Sequence, residues 1–293
     1  MAASVPTKGQ STLRRATMSD ADECGRIFFD AFAAIANRHS FPVEPSSSQF
    51  TAWKVADMLR NPGFYGAVAE RDGRVVGSIF MDERSSIVGL GPLTVDPEAQ
   101  DEGIGRSLMR HALARTAERT APGVRLVQTA YHYRSFALYA SLGFQVREPL
   151  SVMQGRVHAA AAPSWPTREA IPADLGACTD LCLWVHGHER RIELNEAMSA
   201  GTARVVERDG LITGYATGFG YGWHAVARTN DDLIALLASA DDFAGLGILV
   251  PSRNSDLLQW GLANGLRVVQ QSTLMTLGLY SEPVGAYLPS ITF

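Results

Sequence analysis

One four-residue string occurs twice in this chain. Glu70-Arg71-Asp72-Gly73 returns as Glu207-Arg208-Asp209-Gly210, 137 positions later. Each copy is followed by a similar apolar run: Arg74–Phe80 reads RVVGSIF and Leu211–Thr217 reads LITGYAT. Asp and Gly both tolerate positive φ, so an Asp-Gly step between apolar runs predicts a β-hairpin. A later anchor repeats as well. Leu142-Gly143-Phe144 is matched by Asn264-Gly265-Leu266 at an offset of 122, so the second copy is shorter by about 15 residues between the two anchors. Two unrelated α+β domains could share a hairpin turn. They would not share the whole order of elements, and that order predicts a duplicated fold.

With 293 residues, 46% of them hydrophobic, the chain is long enough for two domains that each bury a core. Gln154 to Pro166 contains four successive alanines, Pro163 and Pro166, and reads as a linker. The expected domains are 11–153 and 167–293, behind a flexible lead of about ten residues. Lys and Arg total 26 against 30 Asp and Glu, a net charge of -4. That balance excludes a general nucleic-acid binder, which carries a basic excess. No apolar run reaches the roughly 18–20 residues of a membrane span. MAASVPTKGQ has no apolar centre, so no secretory signal is visible. The three cysteines, Cys24, Cys178 and Cys182, are an odd set that suits a reducing, cytoplasmic setting. Cys178 and Cys182 lie four apart in an apolar helical pattern and read as core thiols. His186-x-His188 lacks a third ligand, so no metal is assigned.

Helical periodicity runs from about Ser19 to Ala36, with Ser19 as the expected N-cap. A second helix covers Ser48 to Arg60, stopped by Asn61-Pro62-Gly63. Strands follow at Tyr65–Glu70, Val75–Met81 and Ile87–Val95. Then come a helix from Ile104 to about Glu118, a strand at Val124–Ala130, a short helix at Ser135–Leu142 and a strand at Phe144–Met153.

The segment Leu93 to Met109, LTVDPEAQDEGIGRSLM, carries the chemistry. A strand ends at Val95, and a loop with Gly103 and Gly105 opens directly into a helix. Glycines let the backbone approach a ligand closely. The first helical N–H groups lack internal partners, and the helix dipole favours an anion there. A tight strand–helix turn would show the same two glycines. The context is more specific. Gln100-x-x-Gly103-x-Gly105 after a strand resembles the acyl-CoA pyrophosphate loop of the GNAT (Gcn5-related) acetyltransferases. One strand later, His132-Tyr-Tyr-Arg-Ser135-Phe-Ala-Leu138-Tyr139-Ala-Ser-Leu142-Gly143-Phe144 resembles that family's second signature. The resemblance covers about Leu13 to Met153. The tandem layout is similar to a subgroup in which a second, degenerate GNAT-like domain follows the first.

The resemblance implies an α+β fold, an α/β/α sandwich: two tandem GNAT-like domains, each a mostly antiparallel central sheet with helices on both faces. It implies acetyl-CoA as co-substrate. Backbone groups of Leu93, Thr94 and Val95 would meet the pantetheine arm. Gln100, Asp101, Glu102, Gly103, Ile104, Gly105, Arg106 and Ser107 would hold the pyrophosphate, mostly through main-chain N–H. His132 and Ser135 would sit with the cofactor near the thiol. Tyr139 would be the general acid for the leaving thiolate. A phenol with an ordinary pKa near 10 starts protonated. Two departures stand out. Asp101-Glu102 puts acid where many relatives have small or basic residues, with Arg106 as a compensating charge, and His132 replaces the usual Asn.

The strand Ile87–Val95 contains no carboxylate, so the base some relatives carry there is absent. Asp82, Glu83 and His132 are the candidates to receive the amine's proton. Aligned on the glycine anchor, Tyr139 corresponds to Gly261, and the second copy also lacks the glycine loop. Its Trp184, His186, His188, Trp223 and His224 are either acceptor-lining groups or ordinary core and surface residues. Asn254-Ser255 reads as the N-cap region of a helix over Asp256–Ala263. The apolar tail, Pro283 to Phe293, would cover an edge of its own chain or join a homodimer contact. The expected activity is acetyl transfer to the primary amine of a small molecule by direct attack. The rivals are a catalytically silent CoA- or metabolite-binding sensor or scaffold, and a protein-lysine acetyltransferase.

Overall fold

A computed structural model describes residues 11–158 and 163–292; the expected lead, the four alanines of the linker and the last residue of the tail lie outside them. The chain forms two compact units. The first holds residues up to Asp82 and Leu90–Thr120, and the second holds Glu83–Gly89 and everything from Ala121 on. Among the described residues no helix is long and apolar enough to cross a membrane.

In the first unit β1 (Thr12–Arg15) pairs antiparallel with β2 (Phe64–Arg71), and β2 with β3 (Arg74–Asp82). The hairpin turns through Asp72 at φ 50° and Gly73 at φ 74°, the positive pair that the Asp-Gly step predicts. β4 (Ile87–Val95) follows β3 in sheet order and belongs to this unit from Leu90 on. Helices α1 (Ala21–Arg38), α2 (Ser48–Arg60) and α3 (Ile104–Glu118) complete it. The N-cap of α1 is Asp20, one residue beyond the expected Ser19, because Met18–Asp20 forms a 3-10 turn first. Asp20 is held there by two hydrogen bonds from Arg14, at 2.8 and 2.9 Å, and by one from the Thr17 N–H. At Gly25 α1 and α2 meet so closely that a Cβ would lie 2.3 Å from Ala52 Cα. Cys24, Ile27, Val55, Val68 and Phe80 form the core beneath. Burying Ile27 completely stabilises the unit by about 1.5–3 kcal/mol.

The second unit contains two sheets. One runs β5 (Gly123–Thr129), β12 (Leu266–Gly278), β6 (Gln145–Gly155), β11 (Ile248–Pro251), all antiparallel. Ile87–Gly89 of β4 adds to β5 in parallel, against Gly123–Arg125. The other sheet runs β13 (Ala286–Leu288), β10 (Ala225–Ala227), β9 (Leu211–Ala216), β8 (Arg204–Arg208), β7 (Thr167–Glu169), again antiparallel. The helices are α4 (Tyr133–Ser141), α5 (Leu175–His186), α6 (Arg191–Ser199), α7 (Asn230–Ala238) and α8 (Ser255–Ala263). The tail covers an edge of its own chain: β13 lies on β10, with Tyr287 and Leu288 buried.

The repeat extends well beyond its turn. The β8–β9 hairpin turns through Asp209 at φ 55° and Gly210 at φ 75°. Its irregularity falls between Val206 and Glu207, where the first hairpin has one between Ala69 and Glu70. Arg14 binds Asp20 and Glu70 in the first copy, and Arg168 binds Asp174 and Glu207 in the second. Repeat and compact units part company at the last strands. β12, which ends the second copy, lies between β5 and β6 of the first, and β6 in turn pairs with β11 of the second.

Candidate active site

In the first unit β4 delivers Val95 to a loop that is tied back at both ends. The Asp96 N–H donates to Val76 O at 3.0 Å, and Gln100 Nε2 donates to Val95 O at 3.2 Å. Arg26 bonds the Asp96 carboxylate at 2.8 Å. A 3-10 turn, Pro97–Ala99, and a positive φ of 68° at Asp101 bring the chain to Gly103. Gly103, at φ 83°, is the N-cap of α3 and offers the helix no side-chain cap. The Ser107 N–H donates to Gly103 O at 3.0 Å, which leaves Ile104 and Gly105 with N–H groups that have no intrahelical acceptor. The first turn contains no acid. A Cβ on Gly77 would lie 2.9 Å from Thr94 O and 3.3 Å from Ile104 Cγ2, so glycine there lets α3 start hard against the sheet.

One member of the acidic pair has an ion-pair partner outside the loop. Glu102 is ion-paired at 2.5 Å with Arg71 of the hairpin, whose side chain is 10% exposed. Arg71 is the candidate site residue that sequence reasoning missed. The signal was its place in the repeated string, but nothing local links it to Glu102. Thr94 is buried with its hydroxyl 3.0 Å from that of Ser78, so only its backbone faces the β4 edge; Leu93 and Val95 are half-buried. Arg106 is half-buried and Ser107 and Asp101 are exposed in the first turn and loop.

The second signature lies in the second unit. His132 is the N-cap of α4, and its carbonyl accepts from Ser135 Oγ at 2.9 Å and Gln128 Nε2 at 3.0 Å. Ser135 thus spends its proton locally, and its oxygen accepts from Gln128 Nε2 at 3.3 Å. Tyr139 is half-buried, with its ring 6.2 Å from that of Phe144. Burial pushes its phenol above the ordinary value, so it remains protonated at neutral pH. Leu142-Gly143-Phe144 fixes the exit from α4. Gly143 takes φ 93°, and the Phe144 N–H donates to Tyr139 O at 3.1 Å. Of the base candidates, Asp82 is buried at the end of β3 and Glu83 is half-buried beside it.

Three of the five second-copy residues, the histidines, are buried. His224 is fully buried, with Nε2 2.9 Å from the Tyr215 hydroxyl and Nδ1 3.1 Å from Glu193. Burial pushes its imidazole below the ordinary value, does the same to His186, and takes His188 to about 3. Burial pushes the Glu193 carboxyl up, but Arg190 at 2.6 Å and His224 hold it well below the carboxylate range. Trp223 packs on Gly218, and Trp184 is 46% exposed. The Thr229 side chain caps α7 by accepting from the Asp232 N–H, and Asp231 and Asp232 fill its first turn. That helix start is satisfied and acidic, the opposite of α3. Asn254 caps α8 as expected, accepting from the Leu257 N–H.

Residues 62–146 match the family model described as "Acetyltransferase (GNAT) domain". A mycothiol acetyltransferase of Streptomyces bingchenggensis is 32% identical over 122 residues, 39% of this chain and 38% of that protein. The chain therefore spans under half the length of that relative. A GCN5-related N-acetyltransferase from Sphaerobacter thermophilus superposes with a TM-score of 0.64 at 13% identity, covering 96% of this chain and 99% of that one. A tandem GNAT protein from the clavulanic acid biosynthesis pathway gives 0.56 at 16% identity, over 92% and 98%. At such identities the two structures speak for the fold, and they do so over nearly the whole chain.

Proposed function

Because this chain is a tandem-type GNAT acetyltransferase, we propose that it moves the acetyl group of acetyl-CoA to the primary amine of a small molecule by direct attack. The observation that carries this reading is the start of α3. A left-handed glycine, an uncapped helix terminus free of acid in its first turn and a neutralised Glu102 make a cradle for pyrophosphate. In this reading Gln100 to Ser107 hold the pyrophosphate, the Leu93–Val95 backbone meets the pantetheine, and Ser135 helps hold the cofactor near the thiol. The neutral amine attacks the thioester carbonyl and the C–S bond breaks. The thiolate takes the Tyr139 phenol proton, and the proton lost by the amine restores the phenol, directly or through water. Residues 11–153 carry the transfer, and residues 167–293 shape acceptor choice. A relative named for mycothiol rather than for a protein supports a small acceptor.

The test is release of free thiol from acetyl-CoA across a panel of amines, with binding followed by calorimetry. Turnover should fall about 100-fold in Tyr139→Phe while acetyl-CoA binding persists. Equal turnover in both proteins removes Tyr139 as the acid. Binding without thiol release from any amine favours the silent sensor instead, and no binding of acetyl-CoA or CoA overturns both.

A further inference from the structure

The second unit holds a cleft of about 360 Å³ whose polar lining comes from Glu148, Arg228, Asn230, Arg253, Glu282 and Tyr287. Arg228 and Asn230 flank the start of α7, and Arg253 lies between β11 and α8. In the repeat this is the counterpart of the place where the first copy has its glycine loop and α4. The chemistry has changed. Thr229 already caps α7, and the acids of its first turn repel a phosphate.

The lining instead carries both signs of charge. Arg253 is shared by Glu148 at 2.6 Å and Glu282 at 2.5 Å, which leaves one carboxylate charge in excess. Arg228 makes no ion pair among the described residues, and its guanidinium lies 5.3 Å from the Trp184 ring. Tyr287 is 7% exposed, lines the cleft, and its hydroxyl makes no hydrogen bond among the described residues. Burial keeps that phenol protonated and therefore a donor. The Asn230 and Asn254 amides bond each other reciprocally at 2.9 and 2.8 Å and make a stiff wall. At Gly285 a Cβ would lie 2.9 Å from Trp184 and 2.6 Å from Ala227 O, so glycine there keeps the wall beneath Arg228 closed.

We propose that this cleft binds a free α-amino acid, with its carboxylate on Arg228 and Tyr287 and its ammonium at Glu148 and Glu282. One excess negative charge, one cation without an ion pair among the described residues and an unused donor match a zwitterion. The volume lies at the small-metabolite end of ligand clefts. The site is independent of the acetyl-transfer reading.

The test is calorimetric titration of the full chain with each standard L-amino acid, alongside its decarboxylated amine and its des-amino acid. At least one amino acid should bind with a Kd of about 1 mM or tighter. Its two truncated analogues should bind about tenfold more weakly or worse. Arg228→Met keeps an aliphatic stem over Trp184 and should weaken binding about tenfold or more, while acetyl-CoA binding stays unchanged. Tyr287→Phe should weaken it several-fold without moving the melting temperature. No amino acid binding up to about 10 mM, equal binding in wild type and Arg228→Met, or equal binding of the decarboxylated amine overturns the proposal.

Discussion

The Arg71 guanidinium lies 2.5 Å from the Glu102 carboxylate and ties the β2–β3 turn to the glycine loop. Half of an acidic pair that should repel pyrophosphate is thereby cancelled. Arg71→Ala restores that charge, and KM for acetyl-CoA should rise about fivefold, the equivalent of roughly 1 kcal/mol for a partly exposed pair. The turnover number should change little. Adding Glu102→Gln to the same protein should bring KM back. Steady-state kinetics that give one KM for all three proteins would take Arg71 out of the cradle.

Gly103 stands at φ 83° with no atom within 4 Å of where a Cβ would be. Alanine there meets backbone strain and no clash. Gly103→Ala should cost about 1–2 kcal/mol and lower the unfolding temperature by several degrees. Gly176 of α5 also has open space but lacks the positive φ. Gly176→Ala should therefore stabilise the protein by about 0.4–1 kcal/mol. Calorimetric melts in which both variants move in the same direction would contradict this account.

Burial raises the Tyr139 phenol, so the acid form is lost only at a pH above its ordinary value. The alkaline limb of the rate should not report Tyr139 between about pH 7 and 9.5. Across that range the ratio of wild-type to Tyr139→Phe rates should stay constant. A ratio that shrinks as pH rises would mean the phenol ionises early.

His188 is buried, and burial lowers it from 6.5 to about 3; His186 and His224 move in the same direction. Between those values the unfolded chain takes up protons that the fold refuses, so stability is present above pH 6.5 and drains away toward pH 3. The slope per such group is at most about 1.4 kcal/mol per pH unit. Asp20, lowered to about 2 by its bonds from Arg14, acts only below its ordinary 3.8. Urea melts between about pH 6.5 and 4.5 thus isolate the histidines. His188→Gln should flatten part of the slope, and an unchanged slope would show that His188 does not resist protonation.

What could be read from the chain was whatever is decided locally. Asp72-Gly73 and Asp209-Gly210 turn as expected because positive φ is a property of the residue itself. β4 and α3 keep their predicted bounds because their apolar periods stop at a proline, a glycine or a charge. The cradle glycines were legible for the same reason. Arg71 and Glu102 were not, since pairing across a hairpin depends on how strands fold back. The second-copy histidines were ambiguous because aromatic and polar spacing reads alike in a core and in a cleft. The tail's docking was visible as apolarity, but its becoming β13 on β10 depends on an edge that only the tertiary fold exposes. The exchange of last strands was invisible: β6 and β12 carry compatible patterns, and either could complete either sheet.

That exchange has a consequence for synthesis. β5 and β6 emerge from the ribosome in order, yet the strand that must lie between them, Leu266–Gly278, is made roughly 110 residues after Gly155. Until it arrives, β5 and β6 present unpaired edges, the kind of surface that recruits strands from other chains. The amino-terminal half therefore cannot finish its own sheet ahead of the rest. A nascent chain paused before residue 266 keeps both of these edges open.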